Sequence, residues 1–208
     1  MVNGSAANSA VTIGNTGILG GSGTVGAVTV QSGGRIAPGN SPGNLNVSTL
    51  TLEGGGGYNW EITSVTGTAG TDWDMITVGG GTGAATINAT SGNKFTIYIS
   101  GNPEGWNTNS EYNWNIIDWG TVTGFDANAF AVDTTGFTGT APIWDVSALG
   151  LALDALETTT FDHEFVQVAE QVTGGTVGTL DTSVSGLESG NVFRWWLAGT
   201  RDQSSAES

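Results

Sequence analysis

The chain has no cysteine, four basic residues and one histidine, and each shortage removes a class of chemistry. Without cysteine there is no disulfide framework, no thiol nucleophile and no Cys-ligated metal site. Four bases against 19 acids leave a formal net charge of −15. So few cations cannot line a groove that neutralises phosphates, which excludes nucleic acid as a partner. A Ser-His-Asp hydrolase would have to use His163, the sole imidazole, as its base. No run of about 18 apolar residues occurs, so no helical membrane span is expected. The opening residues, MVNGSAANSAVTIG, have neither a basic n-region nor an apolar h-region and do not read as a signal peptide. The chain reads as though cut from something longer.

Glycine and tryptophan are abundant instead. There are 35 Gly in 208 residues, more than twice the usual ~7%. Regularly spaced Val, Ile and Leu, with 8 Trp, argue for ordered β structure over disorder. An internal repeat is visible. Residues 10–26 read AVTIGNTGILGGSGTVG and residues 27–43 read AVTVQSGGRIAPGNSPG, an offset of 17. A degenerate third copy begins at Asn44 with NLNVSTLTLEGGGGYN. Alternation puts Val11 and Ile13 on one face of a strand, and likewise Val28 and Val30. A unit this short cannot bury its apolar face alone. Stacking similar units gives one continuous core, the logic of a β-solenoid. Val11, Ile13, Val28, Val30, Leu50 and Leu52 are expected in that core, with their strands in parallel register.

The segment SGTVGAVTVQSGGRIAPGNSPGNLNVSTLTLEGGGGYNWEI resembles the autotransporter-associated β-strand repeat, most closely at GGRIAPGNSPGNLNV, residues 33–47. The family pattern is Gly-Gly-Thr-Leu-Ala-Pro-Gly-Asn-Ser-Pro-Gly; this chain has Arg35 and Ile36 in place of Thr-Leu. GTDWDMITV, residues 70–78, resembles the Asp-containing strand that follows in such proteins. The likeness covers residues 2–80, and less specifically 85–147. It implies a right-handed β-helix, export to the bacterial cell surface and no shared enzymatic activity. It supplies no catalytic residue.

Strands further along are broader. YNWEI at 58–62 echoes YNWNI at 112–116, and KFTIYIS at 94–100 alternates Phe95, Ile97 and Ile99 against Thr96, Tyr98 and Ser100. The loop GNPEGWNTNSE, 101–111, has the Pro, Gly and Asn of a hairpin excursion, with Trp106 read as a lid over core. From 148 the texture changes. ALGLALDALE fits a short helix or a strand, and FDHEFVQVAEQV is ambiguous. Leu187 to Phe193 resembles the Leu-x-x-Gly-x-x-Tyr turn of a fibronectin type III-like sandwich, with Phe193 in place of Tyr. There Phe193, Trp195 and Leu197 would face one way, Arg194 and Trp196 the other. The expectation is all-β: Gly-rich solenoid repeats over 1–57, a wider aromatic-rich β section over 58–147, and a degenerate sandwich-like region over 148–208.

Candidate chemistry is sparse. Asp72 and Asp74, two apart in TDWDMI, read as sharing one strand face, and with Glu61 and Asp118 they sketch a Ca²⁺ site. No Asp/Gly-dense Ca²⁺ loop is present, and solvated or turn-capping roles are preferred. His163 lies between two acids in FDHEF with no evident nucleophile or oxyanion hole. Gly54–Gly57 and Gly79–Gly81 lack the Lys and Ser/Thr of a phosphate loop and read as turns. Trp60, Trp114 and Trp195 read as core, while Trp73, Trp106, Trp119 and Trp196 are candidates for a sugar-binding platform. No catalytic residue, metal or cofactor is assigned.

Two functions compete. One is a non-catalytic extracellular structural protein: a cell-surface rod, adhesin or filament subunit joining other copies of itself head-to-tail through strand edges into a homo-polymer. In that contact Phe193, Trp195 and Leu197 would be partly buried by the neighbouring copy. The alternative is a polysaccharide-binding module, or a β-helix enzyme acting on polysaccharide. An acid pair facing one groove beside Lys94 or Arg35 would favour the enzyme.

Overall fold

Alternating Val, Ile and Leu with Thr, Ser and Asn makes strands whose apolar side faces inward, and the strands form two sheets. The computed structural model describes residues 1–108, 110–139, 143–147 and 151–156. They are all-β, with two 310 turns (Gly79–Gly81 and Ala127–Ala129) and no α-helix among them. No described helix is long and apolar enough to cross a membrane.

The larger sheet contains β1 (Ser5–Ala6), β2 (Val11–Ile13), β4 (Thr24–Val30), β6 (Asn44–Leu52), β8 (Met75–Val78), β9 (Ala84–Ile87), β11 (Tyr112–Asp118), β12 (Thr121–Thr123), β14 (Ile143–Ser147) and β15 (Leu151–Leu156). The smaller sheet has the order β13 (Phe130–Phe137), β10 (Phe95–Gly101), β7 (Gly57–Glu61), β5 (Arg35–Pro38), β3 (Ile18–Gly21). Every named pairing is parallel except β11 with β15 and β14 with β15.

Parallel neighbours need a crossover, and here each crossover visits the other sheet. Val11 lies opposite Val28, Val28 opposite Leu50, Leu50 opposite Ala85 and Ala85 opposite Val122. In the smaller sheet Ile18 lies opposite Arg35, Arg35 opposite Gly57, Gly57 opposite Thr96, and Phe95 opposite Phe130. The first step is the 17-residue repeat read from the sequence. The next is longer by five positions (Val28 to Leu50), and later ones are longer still.

In β4 and β6 the inward positions are Val25 and Val28, and Val47 and Leu50, three apart. Strict alternation breaks there, so each strand bends at Gly26 and at Ser48–Thr49. Gly26 has a steric reason to be glycine: a Cβ on it would lie 2.6 Å from the Ser9 carbonyl oxygen.

The core joins both sheets. Val25, Val28, Val30, Leu45, Leu50 and Leu52 fill the narrower part, and Tyr58, Trp60, Phe95, Ile97, Ile99 and Trp114 the wider part. Three readings take a definite form. Residues 151–156, left open between helix and strand, form β15. The loop after Gly101 is not a hairpin excursion; it carries the chain from β10 in the smaller sheet to β11 in the larger, because those strands have no mutual pairing. Asp72 and Asp74 do not share a strand face, because β8 begins only at Met75. The expected sandwich-like region beyond 156, with His163, Phe193, Arg194, Trp195, Trp196 and Leu197, lies outside the described residues.

Candidate functional site

Three sequence motifs meet at one buried carboxylate. Asp74 is 3% exposed, the one buried charged side chain among the described residues. Its Oδ1 accepts the Gly43 N–H (2.8 Å) and its Oδ2 accepts the Glu61 N–H (3.0 Å). Its own carbonyl accepts the Trp60 indole N–H at 2.9 Å. Gly43 ends the Ala-Pro-Gly-Asn-Ser-Pro-Gly loop, Trp60 and Glu61 belong to the Tyr-Asn-Trp-Glu-Ile strand, and Asp74 to Asp-Trp-Asp. The carboxylate therefore ties the loop to β7. A buried polar group needs such partners, since unpaired it would cost its desolvation.

Burial pushes the Asp74 carboxyl up from 3.8 to about 7; the two main-chain N–H donors pull it down, and the neighbouring Glu61 charge adds to the rise. Tyr58 is raised well above its usual phenol value, by burial first and then by the Asp74 charge. Its hydroxyl donates to the Ile116 carbonyl at 3.2 Å.

A groove of about 630 Å³ opens beside this latch, lined by the loop 37–41, by Asn59 and Glu61 of β7, by Asp74 and by Ser100 of β10. Ser41 stands there at φ +100°, a conformation that side chains other than glycine rarely hold, and its hydroxyl donates to Glu61 Oε2. Arg35 flanks the groove. Its Nη1 donates to Asn59 Oδ1 (3.3 Å), and its guanidinium lies 3.8 Å above the Tyr98 ring centre.

An acid pair thus does face one groove beside Arg35. Both Asp74 oxygens, however, already accept main-chain N–H groups, and the residue is buried. That geometry suits a latch better than a proton donor reaching substrate. Asp72 accepts the Thr68 N–H at 2.8 Å and closes its own turn. Asp118 lies in β11, and its carboxylate lies against Gly81. The four acids therefore do not gather, and no group of three His, Cys, Asp or Glu side chains is placed to hold a metal among the described residues. Lys94 is exposed and does not line the groove. Gly54–Gly57 joins β6 to β7, and Gly79, Gly80 and Gly81 all have positive φ in a 310 turn.

The tryptophans among the described residues pack inward. Trp60 and Trp114 are fully buried and Trp119 nearly so. Half-buried Trp73 donates its indole N–H to the Asn115 carbonyl at 3.1 Å. Half-buried Trp106 stacks on Tyr112 and Trp114 and meets Phe137 edge-on, which makes it a lid over the wider core. None of these offers a free ring face in a row.

The sequence did not single out Ser41 or Asn59, and its groove test named Arg35 without placing it. For Ser41 the signal was the Pro-Gly-Asn-Ser-Pro-Gly loop itself, too polar and turn-rich to be core; Asn59 lies on the outward face of the alternating strand β7. Comparison of the chain with known protein families and with curated protein sequences finds no match.

Proposed function

We propose that this protein is a non-catalytic, extracellular structural protein, a β-solenoid of right-handed sense that serves as a rod or filament subunit at a bacterial cell surface. One observation carries the reading: the parallel ladder through Val11, Val28, Leu50, Ala85 and Val122, which adds a layer at each pass. Right-handed crossovers are the rule between parallel strands of one sheet. A ladder of this kind gives length and stiffness from few residue types, and the Asp74 latch fixes its corner.

Self-association through strand edges, head-to-tail, belongs to the same proposal. The first 34 residues contain no Asp, Glu, Lys, Arg or His, and they supply β1, β2 and β3, which edge the two sheets. Edge strands usually carry charge, proline or bulges that block pairing. These have none, and Ile18 on β3 is 62% exposed. The Val2 N–H already bonds the Gly20 carbonyl at one end of β3; a second copy adding strands along the rest of these edges would satisfy main-chain groups and cover Ile18, and heterologous contacts of this kind propagate into open filaments.

The test is electron microscopy and light scattering on the purified chain and on Ile18→Lys. The exposed site tolerates Lys in the fold. The reading expects filaments or higher oligomers from the parent and single particles from the variant. A monomeric parent at high concentration, or a variant that assembles equally well, refutes it. The polysaccharide reading is favoured by a separate observation, the groove on the smaller sheet.

A further inference from the structure

The smaller sheet presents an outer face whose composition differs from the rest of the molecule. Side chains alternate in each strand, so its inner row is Leu19, Ile36, Tyr58 and Ile97, and its outer row includes Arg35, Asn59, Glu61, Tyr98 and Ser100. Gly20 and Ala37 keep the floor between the strands low, and the Met1 side chain lies over Gly20 at one end of the trough. The trough crosses strands spaced about 4.8 Å apart.

The polar groups along it are held by neighbours while keeping capacity to spare. Asn59 Oδ1 accepts from Arg35, which leaves both amide hydrogens for a ligand. Glu61 Oε2 accepts from Ser41, which leaves Oε1 as an acceptor. Asn40 is exposed on the rim with both its donors and its acceptor available. The Asn59 amide and the Glu61 carboxylate, held two residues apart on one face of β7, suit a vicinal hydroxyl pair. Ala37 and Ile18 supply apolar surface for the C–H faces of a ring. Fixing such groups in advance lowers the ordering cost of binding.

From this arrangement we propose that the groove on the smaller sheet binds an uncharged, extended polysaccharide laid across β3, β5, β7 and β10. Open along the surface, it takes a segment within a chain and needs no free end. The net charge of −15 repels uronic-acid and sulfated polymers, which favours neutral over anionic glycans at the site. The proposal does not require assembly, since a monomer carries the whole groove; a copy added at β3 would cover Ile18 at the groove's end.

The experiment is calorimetric titration of the full chain with malto-, cello- and laminari-hexaose, with polygalacturonate oligomers and with a chitosan hexamer, at two salt concentrations. At least one neutral hexaose is expected to bind, with little salt dependence. Asn40→Ala and Asn59→Ala are each expected to weaken it at least tenfold at unchanged melting temperature. Asn40 is exposed and unbonded, so its variant remains informative even if Asn59→Ala disturbs the Arg35 contact. Binding to none of the neutral sugars, binding to polygalacturonate or chitosan alone, or full affinity in both variants overturns the proposal. Failure here leaves filament formation by the parent chain untouched, so the two readings fail separately.

Discussion

Replacing Asp74 by Asn should reverse the order of stability of parent and variant between acid and alkaline pH. In the folded chain burial lifts the carboxyl from 3.8 to about 7. Between those values the folded state binds a proton that the unfolded state has released, so stability falls as pH rises. The contribution is fully present below about pH 4 and is lost by about pH 8. A rise of about three pH units corresponds to about 4 kcal/mol, at no more than ~1.4 kcal/mol per unit. Asn does not titrate. It also turns an N–H₂ donor toward one of the two N–H groups, Gly43 or Glu61, that Asp74 now accepts. That leaves one buried donor unpaired, at about 1–3 kcal/mol. The parent should therefore exceed Asp74→Asn by about 2 kcal/mol at pH 4 and fall below it by a similar margin at pH 8. Urea unfolding at four pH values between 4 and 8.5 measures the difference. The repulsion among the remaining acids is nearly the same in both proteins and cancels. Two curves that stay parallel across this range would refute the account of Asp74 as a buried, proton-holding latch.

Two further substitutions probe the ladder. Val28 is 1% exposed between Val11 and Leu50. Val28→Asp loses that burial and places a charge in the core, so the midpoint of urea unfolding should drop by several kcal/mol's worth of stability; an unchanged midpoint would mean Val28 is not in the core. Gly26→Ala sets a Cβ 2.6 Å from the Ser9 carbonyl, which must then move. It should cost about 1–3 kcal/mol. Hydrogen exchange should quicken first in residues 5–13, whose strands pair with β4, and equal protection there would contradict the close approach.

Much of the ladder was legible in the chain itself. The 17-residue offset put Val11 over Val28, and alternation alone assigned Phe95, Ile97 and Ile99 to the inside. Trp60 and Trp114 followed from the same rule. These inferences succeed where a strand keeps its period of two, as β7, β10 and β11 do at these residues, and where one parallel step repeats in sequence, as the first does. The rule stops where the strand stops. Asp72 and Asp74 were paired by alternation, yet they precede Met75, where β8 starts, and one turned to its own loop while the other entered the core. Nor could alternation pair Gly43 with Asp74 across 31 positions, because the later steps of the ladder lengthen with loops whose sizes no periodicity encodes. The meeting of loop 37–43, strand β7 and Asp74 was therefore decided by tertiary structure. So was the groove: its small floor residues and its polar walls are contributed by strands of successive layers, and only stacking brings them side by side.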